Sequence, residues 1–371
     1  MKKIAVLGDP NSIWIQTYVK EVLSSSYFDE VVIFSDRIFN SDEKQYPQNV
    51  RIRYCLGNKV SYICSLLTGF LSEGKFEYIH IHYINLRKLL GASLVKWRSR
   101  HTIATFWGSD LLGKGSGELK SFTKYLHKID CVTVGSKDMS EYFKNVYSEE
   151  LTKKMKVVRF GVSGLEPIYN MTIPYEKLRD KWGIAPNKYV ITVGYNGSKR
   201  QNHANVIEQL KMIPSDLAEK CFLIFPMTYG VSGDYLDEIK KLLSSSGYKY
   251  RILTDFMDYD TVAELCCLSD VFIHAQDTDA FSASVQEYLC AGKLLMNPNW
   301  IIYDELKNNN VYYWEYESYT ELKQLIIHYL SDGLSKDEKA KIQGNREKMY
   351  RMSSWQYIKN DWQALYDETG M

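Results

Sequence analysis

No stretch of this chain approaches the ~18–20 uncharged apolar residues that span a bilayer, so no transmembrane helix is expected. No CxxC spacing occurs among its seven cysteines, and their number is odd. Cys55, Cys64, Cys131, Cys221, Cys266, Cys267 and Cys290 therefore define neither a disulfide framework nor a zinc site, and they fit a reducing compartment. The pair Cys266-Cys267 reads as part of a buried helix face. GxGxxG and Walker-type loops are both missing, which removes the usual grounds for NAD or ATP binding. Tandem repeats and low-complexity tracts are absent as well. The opening MKKIAVLGDP carries only a few apolar residues before Gly8, too few for a leader-peptide core, and reads as a first strand.

What is present is ordinary globular composition. Of 371 residues, 45% are hydrophobic and 25% charged, and the length suits two domains. The 29 tyrosines are unusual but select no function by themselves. Net charge is +1, unevenly spread. Residues 1–165 hold 24 Lys and Arg against 16 Asp and Glu, a net of +8. The remainder holds 22 against 29, a net of −7. A basic first half facing an anionic membrane or an acidic acceptor is one reading; ordinary variation between two domains is the other. No nucleic-acid partner is expected.

Short apolar runs alternate with helical patterns, which implies parallel sheets with crossover helices. Strands are expected at Ile4–Leu7, Val31–Phe34, Val50–Tyr54, Tyr78–His82, Thr102–Phe106, Cys131–Val134 and Val157–Phe160. The rhythm pauses over Gly161–Asn187 and resumes at Tyr189–Val193, Cys221–Phe225, Tyr250–Leu253, Val271–His274, Leu294–Met296 and Val311–Tyr313. The expected organisation is a first Rossmann-like domain over 1–165, a linker over 166–187 and a second such domain over 188–340. A terminal segment, 341–371, would return to the first domain. In its helix Trp355, Ile358, Trp362, Leu365 and Tyr366 fall on one face. In doubly wound sheets ligands bind at the strands' carboxyl ends, so residues just after strands are the candidates for chemistry.

The segment DTDAFSASVQEYLCAG, 277–292, follows the strand VFIHA and opens a helix near Ser282. Free amides at that helix start, with the helix dipole, suit a diphosphate. Asp279 and Glu287 stand eight residues apart, one before the helix and one about a turn and a half inside it. An N-cap flanked by acids is the structural alternative. Glu287 is expected to border ligand space and not to anchor the core. A second candidate is ITVGYNGSKRQNHANVIEQL, 191–210, where Gly194 and Gly197 permit close backbone approach and Ser198, Lys199 and Arg200 face an anion. GDPNSIWIQTYV after the first strand brings Gly8, with Asn11 or Ser12 as a helix cap. TFWGSDLL brings Trp107, Gly108 and Asp110; Trp107 could stack on a sugar but cannot act as a base, and Asp110 could be a cap only. His80 and His82 share a strand face, but no carboxylate or cysteine cluster joins them, so no metal site is expected. RKLLGASLVKWRSR, 87–100, is a basic amphipathic stretch that would either rest on anionic lipid or pack on the sheet with a solvated face.

The 277–292 segment resembles the E-x7-E element of glycosyltransferase family 4 and its GT-B relatives, with Asp279 in place of the first Glu and with Glu287 and Cys290-Ala291-Gly292 matching. Asn202-His203 is similar to the bacterial fucosamine-transferase relatives. The order and spacing of the motifs match along nearly the whole chain. The resemblance implies a GT-B fold of two Rossmann-like domains facing a cleft, and a cytoplasmic, metal-independent hexosyltransferase that needs no cofactor. It implies transfer, with retention, from a UDP, GDP or dTDP sugar to a glycan or lipid-linked acceptor in bacterial surface polysaccharide or glycolipid assembly, with peripheral contact to anionic membrane. Glu287 would hold the donor ribose and Asp279 the donor hexose. Gly8, Gly194, Gly197, Ser198, Lys199, Arg200, Phe256, Phe281 and Ser282 would complete the donor site, while Asp279, Trp107 and Asp110 would serve the reacting groups. A sugar-nucleotide 2-epimerase and a non-catalytic nucleotide-sugar-binding subunit share the fold and stand as alternatives.

Overall fold

A computed structural model describes residues 2–24, 26–40, 46–279 and 281–370. The chain divides into two compact units, Met1–Gly161 with Trp355–Met371, and Val162–Ser354. The first is built on seven strands: β1 (Lys3–Leu7), β2 (Glu30–Ser35), β3 (Val50–Tyr54), β4 (Phe76–His82), β5 (Ser99–Thr105), β6 (Cys131–Val134) and β7 (Met155–Val157). Their order is β3-β2-β1-β4-β5-β6-β7, and every pair is parallel. The second has β8 (Tyr189–Val193), β9 (Cys221–Pro226), β10 (Lys249–Leu253), β11 (Val271–Ile273), β12 (Leu294–Pro298) and β13 (Trp314–Tyr316), in the order β10-β9-β8-β11-β12-β13, again all parallel. Runs such as Ile4–Leu7 and Ile191–Val193 are buried without alternation, as strands covered by helices on both faces must be.

Two strands lie away from the apolar runs that suggested them. The run 311–313 does not form the edge strand, because Asn345 takes over the backbone of Tyr312. Its amide accepts from Tyr312 N at 2.9 Å and donates to Tyr312 O at 2.6 Å, and the ladder begins only at Trp314. Similarly β7 is formed by 155–157 and not by 157–160. The Arg159 carbonyl accepts from Trp362 Nε1 at 2.8 Å, and Phe160 turns into the aromatic cluster around Trp355 and Trp362. The stretch read as a linker carries two short helices, Leu165–Tyr169 and Tyr175–Lys181. Leu178, Trp182 and Ile184 pack with Val190, Ile224, Leu265 and Leu268, so these residues belong to the body of the second unit.

The basic stretch 87–100 contains the helix Leu86–Val95, with Leu89, Gly91, Ala92 and Val95 buried. Arg87 meets Asp36, Lys96 meets Asp130, and Arg100 meets Glu77 at 2.7–3.3 Å. Buried Lys88 donates to the His82 and Tyr83 carbonyls. Those engagements fit a sheet-packing helix. Among the described residues no helix is long and apolar enough to cross a membrane.

The helix Trp355–Gly370 belongs to the first unit and buries Trp355, Ile358, Trp362, Leu365 and Tyr366. Trp362→Ala should therefore lower stability by about 3–5 kcal/mol, through lost packing and the lost hydrogen bond to the Arg159 carbonyl. Urea unfolding followed by circular dichroism measures this. A loss below about 1 kcal/mol, the range of a surface substitution, would show that this helix is not integral to the core.

Candidate functional site

In the second sheet the chain leaves β8 toward β9 and leaves β11 toward β12, on opposite sides of the sheet order. The loops after these two neighbours therefore start at the sheet's reversal point, and in such sheets the crevice at those carboxyl ends is the usual ligand position. The loop after β8 carries Gly194 to Asn202. The loop after β11 carries His274 to Ser282.

Gly194 sits at φ +66°, and a Cβ there would lie 2.6 Å from His203 Nε2, so only glycine fits. The loops are stitched together by side chains. Gln276 Oε1 accepts from Tyr195 Oη at 2.7 Å and from Gln201 Nε2 at 2.6 Å. Asn202 Nδ2 donates to Ala275 O at 2.8 Å and to Asp277 Oδ1 at 2.7 Å. Asp279 accepts from Ser282 N at 2.8 Å and from the Tyr303 hydroxyl, with the Tyr195 hydroxyl 3.4 Å away. It thereby anchors the start of the helix Ala283–Cys290. Burial and the neighbouring Asp279 charge push the Tyr303 phenol up and that of Tyr195 up to about 12, so both remain donors. Between Asp279 and that helix, Phe281 holds φ +63°, a strained conformation for a bulky residue, with its ring 5.2 Å from that of Tyr303.

Two imidazoles beneath the crevice are incompletely bonded. Asn297 Nδ2 donates to Pro298 O and Ile301 O, which turns Asn297 Oδ1 toward His274 Nδ1 at 2.9 Å. Nδ1 must then carry the proton, and the lone pair of His274 Nε2 is buried without a donor among the described residues. His203 Nδ1 meets the Tyr235 hydroxyl at 3.1 Å, and its Nε2 is likewise buried without a hydrogen-bond partner among the described residues. Burial holds both rings neutral, His203 down to about 4. Such orphaned atoms in a native structure call for an explanation, and a bound ligand or water is the simplest.

Glu287 lies on the helix as its spacing implies, but it does not border open space as expected. It is only 7% exposed, and a Cβ on Gly164 would lie 2.2 Å from its Oε1, so the backbone at Gly164 covers one side of the carboxyl. Burial raises its pKa to about 7, partly offset by a hydrogen bond with Ser284.

The other expected donor residues divide. Gly197 packs on Val231 and donates to Tyr229 O at 2.8 Å, and Ser198 accepts from Arg200 N. Lys199 leans toward Glu238 at 3.9 Å and over the Tyr235 ring, away from Asp279's partners. Arg200 is exposed, and its guanidinium has no partner among the described residues. Phe256 follows β10 at the sheet edge, two strands from β8, and is 90% exposed.

Gly8, Trp107 and Asp110 lie in the first unit, at the carboxyl ends of β1 and β5. Gly8 is buried against Ile15, and Ser12 holds the N-cap position without a side-chain bond. Asp110 is fully buried and accepts from the amides of Ile84, Trp107 and Gly108 at 2.6–3.1 Å, so it fixes the 107–110 loop and is not free for proton transfer. The Trp107 ring touches those of Tyr83 and Phe160, and its Nε1 approaches His82 Nδ1 at 3.4 Å. His80 is spent on the Tyr366 and Thr105 hydroxyls. Sequence reasoning missed Gln201, Gln276, His274 and Tyr303; Tyr303 follows β12, where the carboxyl-end rule would have found it.

No protein-family model and no curated protein sequence matches the chain. Solved structures do. HepE of Anabaena in complex with UDP and glucose superposes with a TM-score of 0.75 at 14% identity, covering 99% of this chain and 100% of that one. A glycosyltransferase from Rickettsia africae gives 0.75 at 16%, covering 99% and 98%. Sucrose-phosphate synthase from Thermosynechococcus elongatus gives 0.71 at 14%, covering 99% of each. The fold is GT-B. Its two parallel-sheet units are those of this class, and at these identities the likeness establishes the architecture alone.

The buried carboxyl has a consequence for the free GT-B protein. Folded Glu287 keeps its proton between about 4.5 and 7, where the unfolded chain has lost it. The folded state binds more protons there, so stability falls as pH rises through that window. Glu287→Gln should flatten this slope and stabilise the unliganded protein at pH 8 by roughly 3 kcal/mol at most. Denaturant titrations at pH 4.5 and 8 compare the two; equal pH slopes would refute the buried-carboxyl assignment.

Proposed function

We propose that this protein is a glycosyltransferase whose nucleotide-sugar donor lies at the carboxyl ends of β8 and β11. The observation that carries this reading is the crevice itself: two stitched loops, a strained residue, buried imidazoles with open positions and a helix N-terminus, all at the sheet's reversal point. The resemblance to family 4 around Asp279 and Glu287, and the UDP and UDP-glucose held by HepE, support a nucleoside diphosphate sugar of UDP type.

In this reading the diphosphate meets the free amides at the start of the helix Ala283–Cys290, with Arg200 adding charge. Preorganised donors there stabilise the leaving diphosphate as its charge develops. Glu287 accepts from the ribose hydroxyls. Asp279, oriented by Tyr303 and Ser282, accepts from a hydroxyl of the transferred sugar. We assign the acceptor, a glycan or lipid-linked saccharide, to the first unit, where Trp107 offers a stacking face. Retention of configuration, a cytoplasmic setting at the inner membrane face and a place in surface polysaccharide assembly complete the proposal on the strength of the family resemblance. Epimerisation, the alternative on this fold, would proceed without an acceptor.

Glu287→Ala should weaken UDP binding about ten- to a hundred-fold, corresponding to a charge-assisted hydrogen bond of roughly 1.5–3 kcal/mol, and Glu287→Gln should fall between. Wild-type affinity should rise as pH passes about 7 and Glu287 ionises, a dependence that the Gln variant lacks. Calorimetric titration with UDP decides the matter; unchanged affinity in the Ala variant refutes the ribose assignment.

Turnover should also persist in excess EDTA. Asp277 and Asp279 form a D-T-D sequence, but Asp277 is bonded to Asn202 and Asp279 to Tyr303 and Ser282 N, so the two carboxylates serve different partners. Loss of turnover in EDTA with recovery on adding Mg²⁺ or Mn²⁺ would overturn this.

A further inference from the structure

Asp270 and Lys293 immediately precede β11 and β12, so both lie at the amino end of the second sheet, opposite the donor loops. There the second unit holds an open pocket of about 360 Å³, at the low end for small-molecule sites. Its apolar wall comes from Met171, Ile173 and Leu178.

Its polar lining is unbalanced. Lys293 Nζ has no hydrogen bond or ion pair among the described residues and faces only the Tyr175 ring, at 5.2 Å. Arg346 donates through Nη2 to the Ile168 and Tyr169 carbonyls, and its remaining N–H groups have no partner among the described residues. The one carboxylate of the cavity, Asp270, is already engaged, accepting from Tyr175 Oη and Val190 N at 2.7 Å each, and neither cation lies within ion-pair distance of it. Burial depresses the Lys293 pKa, with Asp270 acting in opposition. Lys293 is partly buried, and an ammonium partly withdrawn from water gains from an anion that pairs with it. The fork of Arg346 and the point charge of Lys293 together match an oxyanion.

We propose that this cavity binds a small organic oxyanion with an apolar body, a phosphate ester or a carboxylate, at a site separate from the donor crevice. The anion is held by Lys293 and Arg346, while its apolar part lies on Met171, Ile173 and Leu178. The wall at Ala291 and Cys267 adjoins the carboxyl end of the helix that carries Glu287, so the bound anion stabilises that end of the second unit.

Phenyl phosphate, benzoate and inorganic phosphate are the probes, with thermal unfolding and calorimetry as readouts on the full chain. Phenyl phosphate or benzoate should give a saturable rise in unfolding temperature, because a ligand of the folded state adds to its stability. Inorganic phosphate, lacking the apolar body, should bind at least tenfold more weakly. Lys293→Met should unfold at a higher temperature than wild type without ligand and lose the organic anions' shift, while its response to UDP stays intact. Lys293→Arg, which keeps the charge, should keep the shift and serves as the test should the Met variant fail to fold. No saturable shift with either organic anion, or an equal shift in Lys293→Met, overturns the proposal. So does loss of the shift in Lys293→Arg should the Met variant not fold. Failure of the UDP response alone would count against the donor site and not against this one.

Discussion

The candidate site depends on β8 and β11 lying side by side while the chain leaves them in opposite directions. Parallel pairing fixes the register, with Ile273 opposite Val193, so the two loops start at the same level of the sheet. Divergence then prevents either loop from closing over the other. Backbone ladders end at this edge, and the polar groups beyond it need side-chain partners. Gln276, between Tyr195 and Gln201, and Asn202, between Ala275 and Asp277, supply them. The same hydrogen bonds that hold the loops thus fix where a ligand's polar atoms can be received.

Low dielectric gives these groups their character. Tyrosine is abundant in this chain, and the structure shows one use of it: hydroxyls that end on main-chain carbonyls inside the core, as Tyr316 does on His274 O, Tyr248 on Leu210 O and Tyr147 on Leu119 O. Burial raises these phenols' pKa values, so they stay protonated and keep donating. The same desolvation keeps His80 neutral, down to about 3, within a closed set of hydroxyl partners in the first unit. His274 experiences similar burial but, among the described residues, is bonded on one side only. The two histidines therefore differ in the bonding of the second ring nitrogen, while burial keeps both neutral.

The alternation of strands, the two-sheet architecture and the five buried residues of the terminal helix were all legible in the sequence, because each rests on a local apolar pattern. The placing of β13 was not. The apolar character of 311–313 says strand, but Asn345, distant in sequence, claims the backbone of Tyr312. The site was half legible. Asp279, Gly194 and Ser282 follow from strand ends and helix starts. The burial of Glu287 does not, since it depends on Gly164 arriving from a segment that composition marks as a linker. Asp110 was open to two readings in the sequence, a reacting group or a cap, and the structure shows three amides converging on it.

Glu287 joins these observations. A carboxyl on a helix facing a ligand is ordinarily kept solvated, because desolvation costs it charge. Here the absence of a side chain at Gly164 lets main chain approach it closely, and the acid is held near the point where protonated and ionised forms balance. A ligand hydroxyl that donates to the carboxylate shifts that balance, since hydrogen bonding to the charged form favours it. Binding and deprotonation are then linked. Each reinforces the other, so in the proposed reading part of the free energy of a ribose contact is spent on ionising Glu287 below pH 7 and is fully available above it.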